Sequence, residues 1–226
     1  MRRRRLQPFL VAIVGGSGAG KTWLAEKLQA GLRPECARFS LDDFYRDRSH
    51  LPPGRRAKLN FDHPRAIDWE AFTKVLRACR AGRTALVPCY DFKTHSRLAL
   101  GKLLRPKPIV LVDGLWLTHR PALRRGFDLR IYVEASITLR LRRRLSRDAR
   151  GRGRTRASVR EQFWRTVQPM HVRFVAPQAR WADVVWKERD RRREFNALLA
   201  HLRLAARRSG RLEPIEFPGY RAKATK

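Results

Sequence analysis

The clearest chemical signal in the chain is a set of residues at fixed spacing. Gly15-Gly16-Ser17-Gly18-Ala19-Gly20-Lys21-Thr22 fits the pattern G-x-x-x-x-G-K-[ST]. Glycines let backbone N–H groups turn inward around a polyphosphate, the lysine reaches its outer phosphates, and the threonine hydroxyl is placed for Mg2+. The whole loop from Gly15 to Thr22 is therefore a candidate cradle for a nucleoside triphosphate. Two carboxylates could complete such a site. Asp42 follows an alternating stretch, and it either faces the nucleotide or sits in a surface turn or helix cap. Asp113 follows Ile109 to Val112, and it is either a second acidic, metal-holding position or the start of an Asp-Gly turn.

These residues need elements to hold them. Phe9 to Val14 is an apolar run that reads as a strand, and Leu24, Leu28 and Leu32 recur at helical spacing after the loop, so strand, loop and helix are in order. Cys36 to Leu41 alternates as a second strand, and Ile109 to Val112 is continuous enough to be buried on both faces. Leu129 to Val133 and Ala182 to Trp186 are further strand candidates, with a short one at Thr84 to Val87. Helices are expected over Trp69 to Ala81, along Val159, Phe163 and Val167 up to Pro169, and over Phe195 to Ala206. Ser49 to Pro64 reads as a long loop, as does Cys89 to Arg97, which is dense in aromatic and hydrogen-bonding side chains. From Ile137 to Arg156 arginine dominates; the run is either a solvated face or, given Gly151 and Gly153, a hinged flap that closes over a phosphoryl group. The pattern is that of an α/β protein, a P-loop NTPase with a mainly parallel central sheet flanked by helices and an Arg-rich lid. One domain is expected over residues 9–207, with the lid at about 140–160, a basic arm at 1–8 and a flexible tail at 208–226.

Composition narrows the setting. The 226 residues are 43% hydrophobic, enough for a core, and carry a net charge of +32. Arginines are spread over every segment and no RNA-binding signature, zinc knuckle or helix-turn-helix is present, so nucleic acid is not expected as a partner despite the charge. Cys36, Cys79 and Cys89 are odd in number and lack metal-ligand spacing, which favours a reducing cytoplasm. Met1 and the arginines behind it imitate a secretory leader, but cleavage near Ala19 would destroy the phosphate loop. No stretch approaches the ~20 apolar residues of a membrane span.

Taken with the phosphate loop, Ser-Leu-Asp-Asp-Phe-Tyr at 40 to 45, Asn-Phe-Asp-His-Pro at 60 to 64, Tyr-Asp-Phe-Lys-Thr-His-Ser-Arg at 90 to 97, Arg-Asp at 147 to 148 and Gln-Pro-Met-His at 168 to 171 resemble the uridine-cytidine kinases, over about residues 9 to 186. That family is related to phosphoribulokinase. The resemblance implies ATP- or GTP-dependent phosphorylation of the 5'-hydroxyl of uridine or cytidine, a pyrimidine salvage step, with Mg2+. It implies Asp42 as general base, also touching the metal; Thr22 and Asp113 on the metal side; and Lys21, Arg147 and Arg152 serving the phosphates. Asp62 would hold the ribose hydroxyls, Tyr90, Phe92 and His95 would surround the pyrimidine, and Arg144, Arg154 and Gln162 fall at substrate positions. A small-molecule nucleoside is the expected partner, in a homo-oligomer of tetrameric type.

Three departures stand out. Asp113 is one methylene shorter than the family's usual Glu. Asp43 is similar to the second Asp in the Asp-Asp-Phe of nicotinamide riboside kinases. The stretch Lys187-Glu188-Arg189-Asp190 replaces a glycine-rich one, so contacts to the donor base do not transfer. Nicotinamide riboside or ribulose 5-phosphate as acceptor, and a basic nucleic-acid-binding ATPase, are the alternatives. A degenerate kinase serving as a regulatory binding module is disfavoured by the intact Lys21, Thr22 and Asp42.

Overall fold

The computed structural model describes residues 7–57, 59–151, 154–187 and 191–208. The arm up to residue 6, Arg152, Gly153, residues 188–190 and the tail from 209 lie outside the described residues, so the expectations placed on them are not addressed by it. In chain order the elements are β1 (Phe9–Gly15), α1 (Lys21–Gly31), β2 (Cys36–Ser40), α2 (Pro53–Ala57), α3 (Trp69–Arg80), β3 (Ala85–Val87), β4 (Tyr90–Asp91), β5 (Ser96–Arg97), β6 (Lys102–Leu104), β7 (Ile109–Gly114), α4 (Pro121–Arg124), β8 (Leu129–Val133), α5 (Ile137–Gly151), α6 (Arg156–Gln162), α7 (Gln168–Met170), β9 (Val184–Trp186) and α8 (Arg191–Arg208).

Five parallel strands form one sheet in the order β2-β7-β1-β8-β9. β1 is buried along its whole length because both of its faces are covered. Alternation assigns its side chains to two cores. Leu10, Ala12 and Val14 join Phe39, Phe44, Phe72 and Trp116 in one, whereas Val11 and Ile13 join Leu24, Leu28, Leu198 and Leu202 in the other. Each fully buried side chain of this size contributes roughly 1.5–3 kcal/mol, so the central strand is held rigidly from above and below. Rigidity is what the loop at its end requires. β1 leaves the sheet between β7 and β8, whose register aligns Ile13 with both Asp113 and Ile131. Asp113 is thereby carried to the edge of the phosphate loop.

The predicted central strands and helices are present, and several local features are additional. The stretch after β2 is a 3-10 turn, Leu41–Phe44, capped by Ser40, whose hydroxyl accepts from Asp42 N–H at 3.2 Å. The supposed loop at 89–97 is a hairpin, β4 pairing with β5, and β3 pairs with β6. The arginine run is one helix through Gly151. Pro169, read as a helix stop, is passed over: helical structure continues from Arg156 to Trp181. Two π turns make this possible, because Gln168 N–H reaches back five residues to Phe163 O and Ala176 N–H to His171 O. The wider turn takes up the crowding that a proline ring creates in an α-helix.

Candidate active site

The phosphate loop is clamped from outside by the first half of α5. Helical spacing sets Arg140, Arg143, Arg144 and Arg147 along one stripe, and three of them end on the loop. Arg143 Nη1 donates to Ala19 O at 3.0 Å, Arg144 Nη1 to Ser17 Oγ at 2.8 Å, and Arg140 lies against Gly16 beside His171. Gly18 has φ +79°, and a Cβ there would run into the Arg140 carbonyl, so only glycine fits. Lys21 Nζ bonds Gly16 O at 3.0 Å within the loop. Burial pushes the Lys21 ammonium below its usual range, and the nearby Asp42 and Asp113 pull it back up.

Asp113 is almost fully buried. Its Oδ2 accepts from the Thr22 hydroxyl at 3.1 Å, and its Oδ1 faces Arg38 Nη1 at 3.4 Å. Burial and the neighbouring Asp42 raise its pKa; Lys21, Arg38 and Thr22 oppose that. Asp42 Oδ1 is buried without a hydrogen-bond partner in the protein, a costly arrangement that calls for a cation or a substrate hydroxyl. Next to it, burial lifts Asp43 to about 6. Among the described residues no group of three or more His, Cys, Asp or Glu forms a ready cation cage. The donor set is thus one of hard oxygens, the Thr22 hydroxyl and the Asp42 and Asp113 carboxylates beside a phosphate cradle, and it fits Mg2+ held partly by phosphate.

From Asp42 a narrow cleft with about 500 Å³ of free space leads away from the loop. Asp42, Ser17, Arg144 and Arg147 line its phosphate end; Asp62, Tyr45, Phe61, Phe92, His95, Arg154 and Gln162 line the other. Nine of the residues expected to form the site therefore meet in one place. Asp62 is buried, accepts from Thr166 Oγ1 at 3.2 Å, and has its pKa raised by burial against the pull of Arg144. His95 stacks on Phe61 with ring centres 4.2 Å apart and planes 11° apart. Its φ of 55° at the tip of the β4–β5 hairpin sends the ring there.

Not every expectation is met in place. Tyr90 does not line the cleft: its ring lies 5.2 Å from Tyr45, which does, and burial raises its phenol to about 12. Arg152 falls outside the described residues. Conversely, Tyr45, Phe61 and Leu115 line the cleft without having been singled out, although the first two belong to motifs already noted. Asp148, also part of a motif already noted, was given no role. It is wholly buried, takes Arg147 Nε at 2.8 Å and faces Arg144 Nε at 3.4 Å; its position four residues after Arg144 on a helix was the available signal.

A phosphate loop at the carboxyl edge of a parallel sheet, an orphaned carboxylate beside it and an arginine-lined cleft define a P-loop kinase. The family model for "Phosphoribulokinase / Uridine kinase family" matches residues 10–193. The chain belongs to that family. It is 41% identical over 180 residues to a uridine kinase of Chloroflexus aurantiacus, covering 79% of this chain and 86% of the relative. A uridine kinase of Clostridium novyi is 36% identical over 184 residues, covering 81% and 88%. Among solved structures, phosphoribulokinase from Rhodobacter spheroides aligns with a TM-score of 0.62 at 17% identity over 80% of this chain and 70% of its own. A putative fructose transport system kinase from Silicibacter sp. TM1040 gives 0.65 at 20% identity over 78% and 88%. At such identities these two show the shared fold alone.

Proposed function

We propose that the protein transfers the γ-phosphoryl group of ATP, or GTP, to the 5'-hydroxyl of uridine or cytidine. The observation that carries this reading is the single cleft joining Asp42, at the phosphate loop, to Asp62 and the aromatic wall of Phe92, His95 and Phe61. A vicinal diol suits the Asp62 carboxylate, a flat base suits the rings, and the hydroxyl between them reaches Asp42. The names of the 36–41% identical relatives support the same acceptor.

Asp42 accepts the hydroxyl proton as the oxygen attacks phosphorus. Lys21 and Arg147 stabilise charge on the equatorial oxygens, and Arg143, by holding Ala19, keeps the loop amides aimed at them. Thr22, Asp42 and, through its bond to Thr22, Asp113 would hold Mg2+, which when bound neutralises phosphate charge. A hollow bounded by Gly20, Trp23, Arg143 and Trp186 beside the loop is where the donor base would lie. The proposed reaction is a pyrimidine salvage step, and a reducing cytoplasm suits the three buried free cysteines.

The test is ADP release with product identification, offering uridine, cytidine, nicotinamide riboside and ribulose 5-phosphate separately. Uridine or cytidine alone should support turnover. In Asp42→Asn it should fall by at least about 10³-fold with ATP affinity nearly intact. Turnover with another acceptor, or a fully active variant, defeats the reading.

A further inference from the structure

A row of hydrogen bonds crosses the molecule from the phosphate loop to the aromatic wall. Arg144 Nη1 donates to Ser17 Oγ at 2.8 Å and Nη2 to Gln162 Oε1 at 2.8 Å. Arg154 Nη1 donates to the same Oε1 at 2.7 Å, and Arg154 Nη2 meets His95 Nε2 at 3.1 Å. A guanidinium has no acceptor, so His95 Nε2 is the accepting nitrogen and the direction of every bond is set. The phosphate loop, α5, the link between α5 and α6, α6 and the β4–β5 hairpin all contribute.

Two features separate this row from ordinary structural bonding. Both arginines converge on one neutral oxygen, although a carboxylate there would hold two cations more firmly. The amide keeps their charge available to the cleft they line. Arg144 is 4% exposed and backed by the buried Asp148. Its guanidinium has nowhere to swing, so a displacement of Gln162 or Arg154 is passed to Ser17 and hence to the loop between Gly16 and Gly18. At the far end the His95 ring lies flat on Phe61.

We infer that Ser17, Arg144, Gln162, Arg154 and His95 couple the two substrate sites, with Gln162 as the positioning residue at the middle. A base seated beside His95 fixes the ring, Arg154 and Gln162 in turn, and so holds Arg144 on Ser17 in the shape that grips the donor phosphates. By linkage, donor binding tightens acceptor binding by the same factor. The inference rests on the nucleoside reading given above.

Uridine binding is measured by calorimetry without donor and with a saturating non-hydrolysable ATP analogue plus Mg2+. In the wild-type protein the donor should lower the uridine Kd about 10-fold. Gln162→Leu keeps the bulk and removes the acceptor, and should bring that ratio to within about twofold of one; Gln162→Glu should retain it. Should Gln162→Leu not fold, Ser17→Ala breaks the row at its other end and is expected to abolish the ratio likewise. A residue that only touched uridine, or only supported the fold, would weaken binding equally with and without donor. An unchanged ratio in the variants, or a wild-type ratio of one, overturns the coupling. Absence of uridine binding by the wild-type protein under both conditions is a different result, because it overturns the nucleoside reading itself.

Discussion

Arginine is used in two opposite ways on this molecule. Along α5 and the link to α6, Arg140, Arg143, Arg144 and Arg154 each end on an oxygen, those of Gln168, Ala19, Ser17 and Gln162. Around Trp181 and Trp69 they lie on rings instead: Arg180 is 4.0 Å from the Trp181 centroid, Arg120 covers Trp69 at 4.9 Å and Arg173 covers Phe174 at 5.1 Å, while Arg124, 3.8 Å from the Trp181 centroid, combines the two uses by also donating to Thr118 O at 3.3 Å. Burial and neighbouring arginines hold His63 and His119 below the usual imidazole range there. A buried guanidinium must find acceptors or pay heavily for lost water, and its direction is then fixed, which is what a site needs. An exposed one spreads its flat apolar face on a ring and leaves its N–H edges wet. The net charge of +32 is therefore two properties added together.

The contrast breaks most visibly at Asp148. Asp148→Asn keeps the shape but leaves Arg144 and Arg147 without the buried charge between them, and should cost roughly 3 kcal/mol or more of stability, read from chemical denaturation. A cost under 1 kcal/mol would mean the lid arginines are no better anchored than the surface ones. A smaller effect is expected from His171, beneath Arg140 against Gly16, whose pKa is pushed down to about 4 from 6.5 mainly by burial. Because the folded-state value is the lower one, the unfolded chain binds more protons between about pH 6.5 and 4, so stability contributed above 6.5 is lost as pH falls through that window. His171→Gln should flatten this loss by about 1 kcal/mol, allowing for partial exposure, in unfolding curves at pH 7 and 5. Asp43, raised to about 6, pulls the other way: its penalty is present above 6 and is relieved on acidification. The least effect belongs to the surface. Arg180→Met should change stability by no more than about 0.5 kcal/mol, since a lost ring contact is offset by relief of the repulsion with Arg124. Added salt should then raise the melting temperature of the wild-type protein more than that of the variant.

The phosphate loop, the strands beside it and the positions of Asp42 and Asp113 were legible because local periodicity and fixed spacing encode them. The aromatic wall was only half legible. Tyr45, Phe61 and His95 meet across fifty residues, and no local pattern says that Tyr45 faces the cleft while Tyr90 lies behind it. The arginine run was ambiguous for the same reason: composition does not reveal which guanidinium finds an oxygen. At Pro169 a sound local rule failed because a π turn had absorbed the proline.

Those π turns carry one more consequence. Gln178, at the far end of the same helical segment, donates to Leu115 O at 2.7 Å and accepts from Thr118 N–H and hydroxyl at 3.0 Å, all inside the core. Upstream of both turns Gln162 lines the cleft, and within the first Thr166 reaches Asp62. Each wide turn accommodates about one extra residue, so deleting one between 163 and 175 would swing everything after it by roughly 100° about the helix axis. Many single replacements on the outer face of this segment, at Trp164 or Val172, leave that phase alone. The segment can thus drift in spelling but not in length, and an alignment gap there marks a rebuilt site rather than a trimmed loop.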